Sequence, residues 1–346
     1  MFDKIAVFYM TGTGNSFKVA LWFAEIAKSL GLSVSLKQVT ITKLETTTDM
    51  RTLCVFIFPT HGFTAPILIL KQIFFLPKAS GTSAVILPTR AGTRVKGFCF
   101  PGMEGTAGYL AALLLVLKGY KIRGVLGIDM PSNWTALHWG LSPENVEHII
   151  SRAESKVKSF AALILRGDTK FNGIISLMLG LMLAPISLMY LVLAQFVLAK
   201  LFFASDKCVG CGVCAQYCPK QAIKMTGQDK KRPYWRYSCD SCMACMNYCP
   251  HEAIEVSPLL AVFFYYITTV PFISYLISSW SGYYIGKSWI DLMQYITILI
   301  TVYLVYLISH QFMRFPLVRT LFSKLTHTRY FRRYQAPGVP FAKPDK

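Results

Sequence analysis

The chain has 346 residues, enough for two domains with sizeable cores. Its hydrophobic content of 53% and its positive mean hydropathy exceed those of an ordinary soluble protein. A net charge of +19 suits nucleic acid, anionic lipid or an acidic partner. Eight Lys or Arg stand against one acid, Asp345, over residues 313–346, directly after an apolar span, which favours anionic membrane lipids. No nucleic-acid-binding motif accompanies the charge, so a nucleic-acid partner is not expected. Eight of the ten cysteines lie in two short runs, and nothing suggests a disulfide framework. Cys54 and Cys99 read as small buried hydrophobes. Asp3 and Lys4 lead straight into a strand, so no signal peptide is expected.

Over residues 1–167, short β-rich apolar runs alternate with helical periodicity. The strands read KIAVFYM from Lys4, SVSLKQV from Ser33, LCVFIF from Leu53, TSAVIL from Thr82 and IRGVLGI from Ile122, with helical patterns such as 16–30 and 106–117 between them. Near-continuous apolar strands separated by helices predict an α/β doubly wound parallel sheet covered on both faces. Ligands then bind at the carboxyl ends of the strands, near the switch in strand order. The last helix opens with Ser142-Pro143-Glu144, a cap followed by a first-turn proline. Val146, Ile149, Ile150, Ala153, Val157, Phe160, Ala161 and Ile164 form its apolar stripe, and Gly167 its stop.

Thr11-Gly12-Thr13-Gly14-Asn15-Ser16 joins the first strand to the first helix. Hydroxyls, glycines and free amides at a helix start cradle a phosphate. The spacing is neither the dinucleotide G-x-G-x-x-G nor a P-loop. It resembles the flavodoxin phosphate loop, (Ser/Thr)-x-Thr-Gly-Asn-(Ser/Thr). That resemblance implies a flavodoxin-like fold with FMN as cofactor, its phosphate held by Thr11, Thr13, Gly14, Asn15 and Ser16. Two later loops reach the same edge, Pro59-Thr60-His61-Gly62-Phe63 and Thr89-Arg90-Ala91-Gly92-Thr93-Arg94. By the same resemblance Thr60, His61, Gly62, Phe63, Thr89, Arg90 and Gly92 would flank the flavin ring. Phe63 either stacks there or is a half-buried loop anchor. His61 reads as a hydrogen-bonded loop residue more readily than as a proton donor. Arg90, Arg94 and Lys96 would favour a reduced, anionic flavin and so a less negative potential than a typical flavodoxin's; the alternative is that they face solvent or lipid phosphate.

Residues 168–203 form a linker containing an apolar stretch, 173–199, interrupted by Pro185. Each half is too short to span a bilayer. A single crossing would also put the parts on either side of it across the membrane from each other. The expectation is therefore an interfacial or re-entrant segment on the cytoplasmic leaflet.

Residues 204–256 carry CVGCGVCAQYCP from Cys208 and CDSCMACMNYCP from Cys239, each C-x2-C-x2-C-x3-C-P. Cys208 and Cys239 are 31 residues apart, as are Cys218 and Cys249, Tyr217 and Tyr248, and Ala222-Ile223 and Ala253-Ile254. Such a repeat marks duplicated half-domains. The pattern resembles the bacterial two-cluster ferredoxins. The resemblance implies one-electron transfer by two [4Fe-4S] clusters. Cluster 1 would use Cys208, Cys211, Cys214 and Cys249, and cluster 2 Cys239, Cys242, Cys245 and Cys218. Zinc is the alternative for paired cysteines, but two four-cysteine runs ending in Cys-Pro fit it poorly. Gly210 and Gly212 let the first run turn tightly, where the second run has Met243 and Ala244 at its middle positions.

Residues 258–280 and 292–312 are uncharged and long enough to span a bilayer, with aromatic residues near their ends. Residues 281–291 carry one lysine, Lys287, whereas both flanks are basic, which predicts a transmembrane helical hairpin over residues 257–313 with its flanks in the cytoplasm. A buried helical hairpin in a soluble protein is the alternative. His310 reads as an interface residue. Residues 314–346 form a basic cytoplasmic tail.

The order of parts is TGTGNS after the first strand, Met130-Pro131-Ser132-Asn133-Trp134 after the fifth, then two cysteine runs. It resembles the flavodoxin-like/ferredoxin fusion proteins called ferrodoxins, over about residues 1–256. The family implies cytoplasmic electron transfer with FMN and two clusters. The whole chain then reads as a membrane-anchored electron-transfer protein, multi-pass in the cytoplasmic membrane, with its redox domains and C-terminus facing the cytoplasm. Its redox partner would be an acidic soluble ferredoxin, docking at Lys230-Lys231-Arg232, or a membrane oxidoreductase complex. The alternative is a non-enzymatic wiring and anchoring subunit of such a complex, whose flavodoxin-like domain binds no flavin. No general acid, base or nucleophile is arranged for substrate chemistry.

Overall fold

The computed structural model describes residues 2–46, 49–95, 97–136, 139–227, 231–269 and 287–339. The first domain is built in chain order from β1 (Lys4–Tyr9), α1 (Asn15–Ser29), β2 (Ser33–Gln38), β3 (Thr52–Pro59), α2 (Ile67–Phe74), β4 (Ser83–Val95), β5 (Phe98–Phe100), α3 (Ala107–Leu117), β6 (Lys121–Val125), β7 (Ile128–Pro131), α4 (Pro143–Leu165) and β8 (Lys170–Phe171). The main path of the sheet runs β2-β1-β3-β4-β6-β8, with parallel pairing throughout. The first five strands thus follow the flavodoxin-type order, with its switch point between β1 and β3. Both faces are covered. Val7, Val55 and Val85 point with Phe23 and Phe160 into one core, and Phe8, Phe56 and Ile86 with Ile69 and Leu115 into the other. The side chains alternate between the two cores along each strand, which explains why β1 and β3 are apolar almost throughout.

Two strands differ from the sequence expectation. β4 runs on through Thr89–Arg94, so these residues are extended strand instead of a loop. β7 pairs with their first half and β5 with the second. The fifth strand is split into β6 and β7, with a register shift against β4. Ser142 caps α4 by accepting from Asn145 N, and Gly167 follows in the left-handed region.

The linker is two helices, α5 (Ile174–Met182) and α6 (Ala184–Phe196), meeting at Leu183. The combined segments 174–182 and 184–200 bend by 72°. Pro185 sits in the first turn of α6, where its missing N–H costs no hydrogen bond. Ile175 and Met182 are more than three-quarters exposed, so α5 leaves an apolar face uncovered.

β9 (Phe202–Ala204), α7 (Val213–Gln216), β10 (Ile223–Thr226), β11 (Arg232–Trp235), α8 (Ala244–Asn247) and β12 (Ile254–Val256) make the second domain. β9 pairs antiparallel with β12, and β10 with β11. The 31-residue repeat is visible in the backbone. Positive φ occurs at Gly210 and Ser241, at Gly212 and Met243, and at Gln221 and Glu252. The second half thus holds two ordinary side chains where the first has glycine.

Three helices follow, α9 (Pro258–Thr269), α10 (Lys287–Phe312) and α11 (Pro316–Leu325). Leu260 and Phe264 of α9 pack with Val302 of α10 and with Leu201. Among the described residues no single helix is long and apolar enough to cross a membrane. Two bent pairs meet the length and composition, α5 with the α6 region, and the C-terminal part of α10 with α11, bent by 116°. The expected span 258–280 is described only to Thr269. Most of the expected loop 281–291, with Lys96, Lys230 and Asp345, lies outside the described residues. The segment after α11 returns to the first domain. Tyr334, Ala336 and Val339 pack there with Phe17 and Val146.

Candidate functional site

The two cysteine runs each contain a one-turn helix, α7 or α8, before their fourth cysteine. Cys208, Cys214, Cys218, Cys239 and Cys245 are buried, Cys242 and Cys249 half-buried, and Cys211 exposed. Their mutual electrostatics sort them into two groups. Cys214 is influenced by Cys208, Cys249 and Cys211, whereas Cys242 is influenced by Cys218 and Cys239. Cys239 is likewise influenced by Cys218, and Cys245 by Cys239 first, then Cys214 and Cys242. Cys249 is thus felt by Cys214 and Cys218 by Cys242 and Cys239, although Cys214 also acts on Cys245 across the two groups.

Burial pushes the Cys214 and Cys239 thiols up to about 12. A bare thiolate is costly in such a place, and bound iron supplies the positive charge that offsets it. Among the described residues no group of three or more His, Cys, Asp or Glu is placed to hold a single metal ion. A four-iron cluster would offer each of four thiolates its own iron. Backbone amides already point at sulfurs in matched positions. Ala222 N donates to Cys218 Sγ and Ala253 N to Cys249 Sγ, both at 3.3 Å.

Beneath the second group lies Lys200, fully buried. Its ammonium donates to Trp235 O and sits 3.8 Å from the Tyr237 ring centroid and 4.4 Å from that of Tyr306. Burial lowers it to about 8, while the Cys239 thiolate acts to raise it. No sequence signal marked Lys200, because its cage comes from residues 35 to 106 positions away.

A cavity of about 180 Å³ opens where the carboxyl ends of β1, β3 and β4 meet. It is walled by Thr11, Gly12, Thr13, Asn15 and Ser16, by Thr60, His61 and Gly62, and by Thr89 and Arg90. Met130–Trp134 closes one side and Tyr190 of α6 another. The remaining wall is Ser241, Cys242 and Met243 from the second cysteine run. The domains touch here. A Cβ placed on Gly12 would lie 2.8 Å from Cys242 O and 3.6 Å from its Sγ.

The hydroxyls and amides of this wall are largely engaged. Gly14 N donates to Thr11 Oγ1 at 3.0 Å, Asn133 Nδ2 to Thr13 Oγ1 at 2.8 Å, and Asn15 Nδ2 to Pro131 O at 2.9 Å. Ser16 and Thr89 share a hydroxyl–hydroxyl bond of 3.0 Å. Thr60 Oγ1 is buried with no partner, a free polar atom at the cavity. Burial lowers His61, so it is neutral at pH 7 and poorly suited to donate a proton; Asp240 opposes this shift and Lys220 adds to it.

Three of the expected residues do not line the cavity. Gly14, in the left-handed region, is covered by Ala336 and Val339. Phe63 also has positive φ, and its carbonyl is tied to Thr106 N, so it anchors the loop. Gly92 lies in β4 against Asp129 and Ile149. The aromatic side chains at the cavity are instead Trp134 and Tyr190, edge to face at 6.3 Å, with Tyr190 packed directly on Gly62. The cations are not free either. Arg90 forms a fork with Asp129, at 2.8 and 3.0 Å, and pairs with Glu104, while Arg94 pairs with Glu144 at 2.9 Å. Arg90 and Arg94 are thus neutralised and give no reason for an unusual flavin potential, while Lys96 lies outside the described residues.

Two family models match the cysteine region, a 4Fe-4S dicluster domain over residues 200–250 and a 4Fe-4S binding domain over residues 236–265. No curated protein matches the chain. Among solved structures, a Streptococcus pneumonia TIGR4 flavodoxin is 16% identical, covering 46% of this chain and 98% of its own, with a TM-score of 0.31. Oxidised flavodoxin 2 from Bacillus cereus is 17% identical, covering 46% and 95%, with a TM-score of 0.32. The strand order of the first domain and the family match of the second together identify the chain as a flavodoxin-like domain fused to a 4Fe-4S dicluster domain.

Proposed function

We propose that the chain is a membrane-anchored electron-transfer protein that passes electrons between FMN and two [4Fe-4S] clusters and on to a redox partner. The carrying observation is the contact of Cys242 with Gly12, which makes a cluster ligand part of the wall of the flavodoxin-type cavity. Thr11, Thr13, Asn15 and Ser16 would hold the FMN phosphate, and Thr60 offers a free hydroxyl. FMN supplies one- and two-electron chemistry, and the clusters one-electron steps. The chain's own residues exclude water: Tyr190, Trp134 and Met243 close the cavity on its apolar side. The exposed faces of α5 and α10, with the basic flanks, support anchoring to anionic lipid at the cytoplasmic membrane. Lys231 and Arg232 are the described part of a basic docking run for an acidic ferredoxin or a membrane oxidoreductase complex.

A second reading, a wiring and anchoring subunit without flavin, is favoured by the size of the cavity. At about 180 Å³ it is smaller than the roughly 300–1,000 Å³ of ordinary ligand pockets, and Tyr190 stands in it. The deciding experiment is iron, sulfide and flavin content after anaerobic purification in detergent. About eight iron with one flavin supports the carrier, and about eight iron without flavin supports the subunit. In Cys245→Ala, iron should fall to about half; an unchanged iron count would overturn the ligand assignment.

A further inference from the structure

The β10–β11 hairpin and the α10–α11 pair enclose a second cavity, about 670 Å³, distinct from the one beside Cys242. Three arginines line it, Arg232 from β11, Arg314 from the turn after α10 and Arg319 from α11. Among the described residues, none of the three forms an ion pair. Arg232 and Arg319 are near neighbours: burial first, and then the charge of Arg319, hold Arg232 below its ordinary value. Arg232 Nη1 donates to the carbonyls of Ala204 and Ser205, and Arg319 Nη1 to those of Met313 and Arg314. One edge of each guanidinium is thus fixed by backbone. Arg319 Nε is buried without a partner. The weaker opposing pulls of Cys208 and Asp206 do not cancel the lowering of Arg232, and an anion between the two half-buried guanidiniums removes the cost. The guanidinium fork matches phosphate geometry.

Phe203, Leu260 and Met313, all buried, make an apolar part of the wall, beside the polar Thr226, Ser309 and His310. From the rim, α11 runs off with Leu317, Leu321 and Leu325 exposed at four-residue spacing. That spacing puts them on one helix face, the pattern of a helix lying in a membrane interface. A neutral ring ligand would leave the two guanidiniums uncompensated.

We propose that this cavity binds the phosphate of an anionic amphiphile, held between Arg232 and Arg319, with the attached chain lying against Phe203, Leu260 and Met313. The site goes beyond electron transfer and requires neither flavin nor a partner. Its phosphate can come from a lipid headgroup or from free phosphate, and the buried Phe203, Leu260 and Met313 favour the lipid.

The test is ligand binding to the full chain in neutral detergent, by native mass spectrometry and dialysis. The probes are short-chain phosphatidylglycerol, the matching diacylglycerol and inorganic phosphate. One phosphatidylglycerol per chain is expected, at least about tenfold tighter than either other probe, as charge-assisted pairs contribute. Arg319→Gln should weaken it by about tenfold, and Arg319→Lys by less. Arg232→Gln should act likewise; since it also loses the Ala204 and Ser205 contacts, Arg319→Gln carries the test if iron content falls. Diacylglycerol binding as well as the phospholipid, phosphate alone binding as tightly, or unchanged binding in Arg319→Gln at unchanged iron content would each overturn the proposal.

Discussion

The hydroxyl of Tyr334 donates to Asn15 Oδ1 at 2.6 Å, tying two buried residues 319 positions apart. The same Tyr334 donates its backbone N–H to Asn247 Oδ1 at 2.7 Å, in the helix that follows Cys242. Ala336 N then reaches Thr13 O at 2.9 Å. One short segment thus joins the phosphate-type loop to the second cysteine run.

Removing that hydroxyl leaves Asn15 Oδ1 buried without its donor. Tyr334→Phe should lower stability by about 1 kcal/mol, the usual cost of one buried hydrogen bond. It should also speed proteolysis near residues 334–339. Thermal unfolding and a protease time course check both, and no change in either would show that the latch carries no energy.

Tyr190 packs on Gly62 where a flavin ring would need room. Tyr190→Ala should therefore raise FMN retention, read by flavin fluorescence titration of the flavin-free protein. Weaker binding in this variant would mean that Tyr190 stacks on the ring instead of competing with it.

A methyl group at Gly12 would meet Cys242 O at 2.8 Å. Gly12→Ala should push the two domains apart at a cost of about 1–3 kcal/mol, the range for overpacking. Stopped-flow reduction should then show slower exchange between flavin and clusters. An unchanged rate with lowered stability would place the electron path elsewhere.

Glu255 in β12 is 1% exposed, and its Oε2 has no partner. Burial raises it to about 7, against the opposing pull of Arg333 and other cations. The folded state then holds a proton that the unfolded state gives up near 4.5. Its stabilising contribution is complete below that value and is lost as the pH rises through about 7. Glu255→Gln should remove this slope and unfold at a higher temperature than the parent above neutrality. Parallel melting curves from pH 5 to about 8 would show that Glu255 does not titrate there.

The parts legible in sequence are those that neighbouring residues determine. The cysteine spacing, the 31-residue repeat, the apolar strands and the Ser142 cap are local patterns, and each reappears in the structure. Thr89–Arg94 looked like a loop because it is polar. Pairing with Phe98–Phe100 and with Ile128–Pro131 keeps it extended. Phe63 directly follows the cavity residues Thr60, His61 and Gly62 in sequence, but its left-handed backbone and the Thr106 bond hold it aside. The residues that do close the cavity, Tyr190 and Met243, come from a helix and a turn more than a hundred positions away. The Arg90 ion pairs needed Asp129 and Glu104 from other elements. Such placements depend on tertiary packing, which periodicity does not encode.

The repeat also gives the second domain an inner and an outer end. Gly210 and Gly212 leave Cys211 open to water, whereas Ser241 and Met243, at the matching positions, are buried beside Cys242. Left-handed backbone at two ordinary residues costs roughly 1–2 kcal/mol each, and what it returns is cover. An added electron is extra negative charge, which water near Cys211 stabilises in one half and the buried Lys200 ammonium beside Cys239 in the other. The two halves, matched in their left-handed positions, should therefore differ in electron affinity, since one is tuned by water and the other by a buried cation.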